Sequence, residues 1–105
     1  MGIKIVYLVY GFTFEWDSQK SAANKTKHGI SFFQALEIWQ NVHMTVDGIA
    51  QSDDHEERSA TIGLVLGTVY TAIWTRRDNG IRLISVRKAR KNEKIIYQKK
   101  VFLNG

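Results

Sequence analysis

The chain has 105 residues and a mass of 12.1 kDa, room for one ordinary hydrophobic core and not two. Its apolar content of 44% fills such a core and excludes a disordered or fibrous chain, while the absence of Cys excludes disulfide frameworks, zinc ribbons and thiol nucleophiles. Fifteen Lys and Arg against ten Asp and Glu give a net charge of +5, which biases so small a domain toward polyanionic partners.

Ile3 to Tyr10 is β-branched and aromatic, and reads as a strand stopped at Gly11. Its uncharged run is too short to cross a bilayer, and no small-residue cleavage site follows it. A second extended piece, Phe12 to Trp16, ends at Asp17, whose carboxylate is placed to cap a helix over Ser18–His28. Gly29 falls where that helix wants a left-handed residue. Ser31 opens a second helix, Phe32 to about Gln40, with Phe32, Ala35, Leu36 and Trp39 in one apolar stripe.

Asn41 to Glu57 reads as mostly irregular, with a short strand at Met44–Val46 and an acidic cluster at Asp53-Asp54-His55-Glu56-Glu57. Three antiparallel strands follow: Ser59–Leu66, a Gly67-Thr68 turn, Val69–Thr75, an Asp78-Asn79-Gly80 turn, and Ile81–Arg87. A basic helix from about Lys88 to Lys100 closes the chain, with Ile95, Ile96, Phe102 and Leu103 as its apolar contacts. The order β-α-α-β-β-β-α predicts a single α+β domain over residues 1–105, its helices gathered against an antiparallel sheet of about four strands. Trp16, Phe32, Leu36, Trp39, Ile62, Leu64, Ile73 and Ile84 are the expected core.

Lys20, Asn24, Lys27 and His28 share one face of the first helix, and Arg58, Arg76, Arg77, Arg82, Arg87 and Lys88 mark the ends of the last strands. Together they read either as a groove for a phosphodiester backbone or as an ordinary solvated helix face with surface arginines. His28, in the last helical turn, is either a residue stabilised by the helix dipole or a general acid or base. His43 reads only as a polar residue after a helix. No spacing in the acidic cluster matches a metal site, and no phosphate loop, nucleophile elbow or dinucleotide fingerprint occurs, so no metal or cofactor is expected.

Phe14-Glu15-Trp16-Asp17, Lys20, Asn24 and Lys27-His28-Gly29-Ile30-Ser31-Phe32 resemble the opening signature of the BrnT toxins. Glu57-Arg58, Thr61-Ile62-Gly63, Thr75, Arg77 and Arg82-Leu83-Ile84-Ser85-Val86-Arg87-Lys88-Ala89 resemble the second half of that pattern, in the same order. The resemblance spans about residues 12–97 and departs in two places. Residues 1–11 extend ahead of the usual start, and Val86 stands where Ala is common.

The resemblance implies a RelE/ParE-like fold and the toxin of a type II toxin–antitoxin system. Such a toxin is a cytoplasmic ribonuclease that halts translation, with no membrane partner. Its antitoxin would be of the BrnA type, with a ribbon–helix–helix domain through which the complex reaches operator DNA. RNA carries its own nucleophile, the 2′-hydroxyl, so cleavage needs only proton transfer and cationic stabilisation of the phosphorane. On this reading Lys27, His28, Arg58, Arg77 and Arg82 are the candidate catalytic residues. His28 is favoured for the proton and Lys27 for charge, since a lysine at its ordinary pKa is a poor base. Lys20, Asn24, Arg76, Arg87 and Lys88 are the candidate RNA-binding residues. The rivals are a non-catalytic basic binding module and a gyrase-directed toxin of the same fold.

Overall fold

A computed structural model describes residues 2–51 and 56–104. The described chain runs β1 (Lys4–Val9), β2 (Phe12–Asp17), α1 (Ser18–His28), α2 (Phe32–Ala35), a 3-10 turn (Leu36–Trp39), β3 (His43–Gln51), β4 (Glu57–Val65), β5 (Thr68–Arg77), β6 (Gly80–Lys88) and α3 (Lys91–Asn104). The α+β class is as expected, but the sheet has six strands rather than about four, in the order β1-β2-β6-β5-β4-β3. It is also mixed: β2 pairs with β6 in parallel, through Phe14 opposite Ile81 and Glu15 opposite Arg82. To that extent it departs from the RelE/ParE-like topology that the resemblance implied.

Local chemistry explains the first elements. Tyr10 and Gly11, at φ 55° and 79°, form a two-residue hairpin between β1 and β2. Asp17 Oδ1 accepts from the amides of Gln19 and Lys20 at 2.8 and 3.2 Å, and Gly29 closes α1 at φ 78°. Ser31 and Gln34 form a capping box at the start of α2. The helix expected to reach Gln40 tightens after one turn into the 3-10 segment, which buries Ile38 as well as Leu36 and Trp39.

Three boundaries differ from expectation. The β4–β5 turn is Leu66-Gly67, one residue earlier, because this tight turn places both central residues at positive φ, here 48° and 81°, which glycine takes without strain. The stretch expected to be irregular forms most of β3, an edge strand whose alternation over His43–Asp47 is cut short by a register shift between Val46 and Ala50. Lys88 belongs to β6, and α3 begins at Lys91.

Both sheet faces are covered, one far more than the other. Phe14, Trp16, Phe32, Leu36, Ile38, Trp39, Trp74, Leu83 and Val86 form the larger core beneath α1, α2 and the 3-10 turn. On the other face α3 covers only the end where Ile62, Ala89 and Tyr97 meet, with Met44, Leu64, Val69 and Val101 around them. Tyr97 is the buried anchor of α3, donating its hydroxyl to Val42 O at 3.0 Å, whereas Ile95, Ile96, Phe102 and Leu103 are exposed.

Leu64, Ile73 and Ile84 are half-buried rather than core, and Leu64 packs on this thinner layer. The register between β5 and β6 shifts so that Ile73 faces Ser85 while Trp74 faces Leu83. Ile84 is the extra residue of that bulge, which brings Leu83 and Val86 to the same face. Strand β1 covers the edge of β2, with Ile5 and Val9 against the larger core and Tyr7 stacked on Trp16 at 5.6 Å.

Candidate active site

Strand register builds a row across the sheet. Arg58 of β4 stands opposite Thr75 of β5, Thr75 opposite Arg82 of β6, Arg82 opposite Glu15 of β2, and Glu15 opposite Val6 of β1. Side chains directly opposite share a face. This is the face that α3 covers only at its other end, and on it Arg82 and Glu15 are part-buried while Thr75 is buried.

Arg82 Nη1 donates to Glu15 Oε2 at 2.9 Å, and Lys4 Nζ lies 3.6 Å from the same oxygen. Arg77, two residues along β5 from Thr75 and therefore on the same face, pairs with Glu56 at 2.8 Å. Thr75 Oγ1 donates to Glu57 O at 2.8 Å and ties the middle of the row to the start of β4. Arg58 Nε is buried with no hydrogen-bond partner among the described residues. The row therefore offers three guanidinium groups on one surface, in a fork geometry that suits phosphate oxygens.

Lys27 and His28 lie elsewhere. With Arg87 and Lys88 they line a cleft of about 420 Å³ at the far end of β6. Five residues of strand separate Arg82 from Arg87, roughly 16 Å, so one phosphate does not touch both groups. The structure thus brings Arg58, Arg77 and Arg82 together and keeps Lys27 and His28 apart from them.

Two residues expected to bind RNA have structural partners. Asn24 is buried: its Nδ2 donates to Ile30 O and Val86 O at 2.8 and 2.9 Å, and its Oδ1 accepts from Val86 N at 3.1 Å. With both donors taken it has none left for a phosphate. Arg87 makes two bonds to Glu93 of α3, at 2.7 and 3.0 Å. That guanidinium, with bonds from Thr71 and the Arg90 amide, holds the Glu93 carboxyl down at about 2, while the same pairing raises Arg87 further. Lys20 and Lys88 are exposed, and Arg76 lies on the opposite sheet face, its guanidinium 5.8 Å over the Trp74 ring.

Among the described residues no three His, Asp or Glu side chains converge as a metal site, and Asp53, Asp54 and His55 lie outside the described residues. No described helix is long and apolar enough to cross a membrane.

Sequence reasoning missed Glu15 and Thr75 as members of the row. Alternation held the signal for Glu15, since Phe14 and Trp16 point into the core and Glu15 must point away. A sheet face that gathers arginines is the kind of surface that suits a polyanion. The chain belongs to the BrnT family, the ribonuclease toxins of type II toxin–antitoxin systems, whose model matches residues 16–93. No curated protein matches the sequence.

Proposed function

We propose that this protein cuts RNA on the sheet face that carries the arginine row, by a metal-independent, 2′-hydroxyl mechanism. The observation that carries the reading is the registered row Arg58–Thr75–Arg82–Glu15 with Arg77 beside it. An entering phosphate takes the place of the Glu15 carboxylate on Arg82 and lies on the side of the sheet that carries Arg58. Arg58, Arg77 and Arg82 then hold the charge that grows on the phosphorane. The displaced Glu15 carboxylate accepts the 2′-hydroxyl proton as the 2′-oxygen bonds to phosphorus. The bond to the 5′-oxygen breaks, that oxygen takes a proton from water, and the products are a 2′,3′-cyclic phosphate and a 5′-hydroxyl.

Lys27, His28 and Lys88, with Lys20 on the same helix, bind the flanking backbone, and the chemistry no longer requires His28. Cleavage of this kind halts translation in the cytoplasm. A BrnA-type ribbon–helix–helix antitoxin holds the toxin inactive and carries the complex to operator DNA.

The test is cleavage of a long RNA by antitoxin-free protein in EDTA, beside a DNA control, with the new ends mapped. Cyclic phosphate ends in RNA alone are expected. A need for added divalent metal, or equal cutting of DNA, overturns the mechanism. No cleavage with or without ribosomes leaves the binding module or the gyrase-directed toxin.

A further inference from the structure

On the other face of the sheet, at the same end as the arginine row, lies a cleft of about 420 Å³ lined by Phe12, Trp39, His43, Asp47, Trp74 and Arg76, among others. We propose that it is a guanine-binding subsite. Resting on the ribonuclease reading above, it sets the sequence preference of cleavage.

The walls are held by bonds. Trp74 Nε1 donates to Thr61 Oγ1 at 2.8 Å, and Thr61 shares a hydroxyl bond of 2.9 Å with Thr45 of β3. On this fixed indole rests the Arg76 guanidinium, a flat cationic surface of the kind on which bases stack. Arg76 has no carboxylate partner among the described residues.

Beside Arg76, Thr45 and Asn79, the cleft holds two groups that can accept, Asp47 and His43. Asp47 Oδ1 takes a bond from Ser59 Oγ at 2.8 Å, which orients the carboxylate and leaves Oδ2 without a donor among the described residues. Asp47 lies within a break in the β3 ladder, where the register shifts between Val46 and Ala50 and Gly48 takes φ 67°, so a bulge carries the carboxylate at the cleft. His43 Nδ1 lies 2.8 Å from Asn41 O, a partner that can only accept, so in the neutral ring Nε2 is the free acceptor.

A ligand for two neighbouring acceptors must bring donors. Guanine alone among the four bases has two adjacent donors, N1–H and the 2-amino group, that match the two oxygens of one carboxylate. Uracil sets its single N–H between two carbonyls, and adenine and cytosine set a ring acceptor beside their amino group, which a carboxylate repels. The two sites are also connected. Arg76 and Arg77 are consecutive on β5 with side chains on opposite faces, so RNA held at Arg77 has the cleft around the strand end.

The experiment is a titration of the full chain with each of the four 5′-nucleoside monophosphates, read by tryptophan fluorescence, since Trp39 and Trp74 both line the cleft. Saturable quenching by GMP alone is expected. Asp47→Asn weakens GMP about ten- to a hundredfold, and gains xanthosine monophosphate, whose 2-oxo group accepts where guanine's 2-amino group donates. That gain also shows that the variant is folded. Equal quenching by all four nucleotides, none by any, or an Asp47→Asn variant with unaltered GMP binding overturns the proposal. The readout needs no cleavage. GMP binding in a protein that cuts no RNA sinks the ribonuclease reading and leaves the subsite, while cleavage with no preference for guanosine sinks the subsite alone.

Discussion

The side-chain amide of Asn24 meets both backbone groups of Val86, donating to its carbonyl at 2.9 Å and accepting from its N–H at 3.1 Å. Strand β2 pairs with β6 only as far as Arg82, so beyond it the edge of β6 has no strand beside it. One asparagine of α1 supplies the missing ladder bonds. Its second donor hydrogen goes to Ile30 O, which fixes the chain beyond the Gly29 cap as well.

This makes Asn24 a stability residue. Asn24→Leu is expected to lower unfolding free energy by about 2–4 kcal/mol, because it leaves buried backbone groups of Val86 and Ile30 unpaired. Urea unfolding followed by circular dichroism measures it. A loss of RNA affinity with unchanged stability would instead place Asn24 at the RNA surface.

In the arginine row, Arg77→Ala and Arg82→Ala should each slow RNA cleavage about a hundredfold or more while leaving the fold intact, the usual effect of removing one donor to a developing anion. Single-turnover rates with circular dichroism as control decide it. Near-normal rates in both variants would move the site elsewhere.

Glu15→Gln and His28→Ala separate the two possible proton carriers. Glutamine keeps the shape beside Arg82 but accepts no proton, so Glu15→Gln should cost about a hundredfold or more in rate, within the usual range for general-base loss. His28→Ala should weaken RNA binding without lowering the rate at saturating RNA. The reverse outcome would return the proton to His28 and require the RNA to reach the far cleft.

Acid should loosen α3. The Glu93 carboxyl is lowered from 4.5 to about 2 by its bonds with Arg87, Arg90 and Thr71. A carboxyl lowered in the folded state adds stability that is fully present above its unfolded value and is lost as pH falls through the folded one. Wild-type protein should therefore lose more stability between pH 5 and pH 2 than Glu93→Gln, whose profile lacks this component. Parallel profiles would remove the Arg87–Glu93 pair from the account.

Removal of residues 2–10 should leave an unstable or insoluble protein. Strand β1 places Ile5 and Val9 on the larger core and Tyr7 over Trp16, and its loss bares the β2 edge. Solubility and thermal unfolding of the truncated chain test this. A truncated protein that stays folded and active would show the strand to be dispensable.

The legible parts of this protein are the ones decided within a few residues. Asp17 with the amides of Gln19 and Lys20, Ser31 with Gln34, Gly29 after His28, and the hairpins of the last three strands all close over short spans of chain. Residue type and spacing therefore predict them. Glu15 and Arg82 stand 67 residues apart, Asn24 and Val86 stand 62 apart, and no local preference pairs them. Their meeting follows from the parallel register of β2 and β6, which exists only after the chain has crossed to the far edge at β3 and returned through β4 and β5. The same long-range packing separated His28 from the arginines, buried Asn24, and joined His43, Asp47 and Arg76 around one cleft. Local hydrogen bonding chose the elements, and the burial of two unequal sheet faces chose which residues share a site.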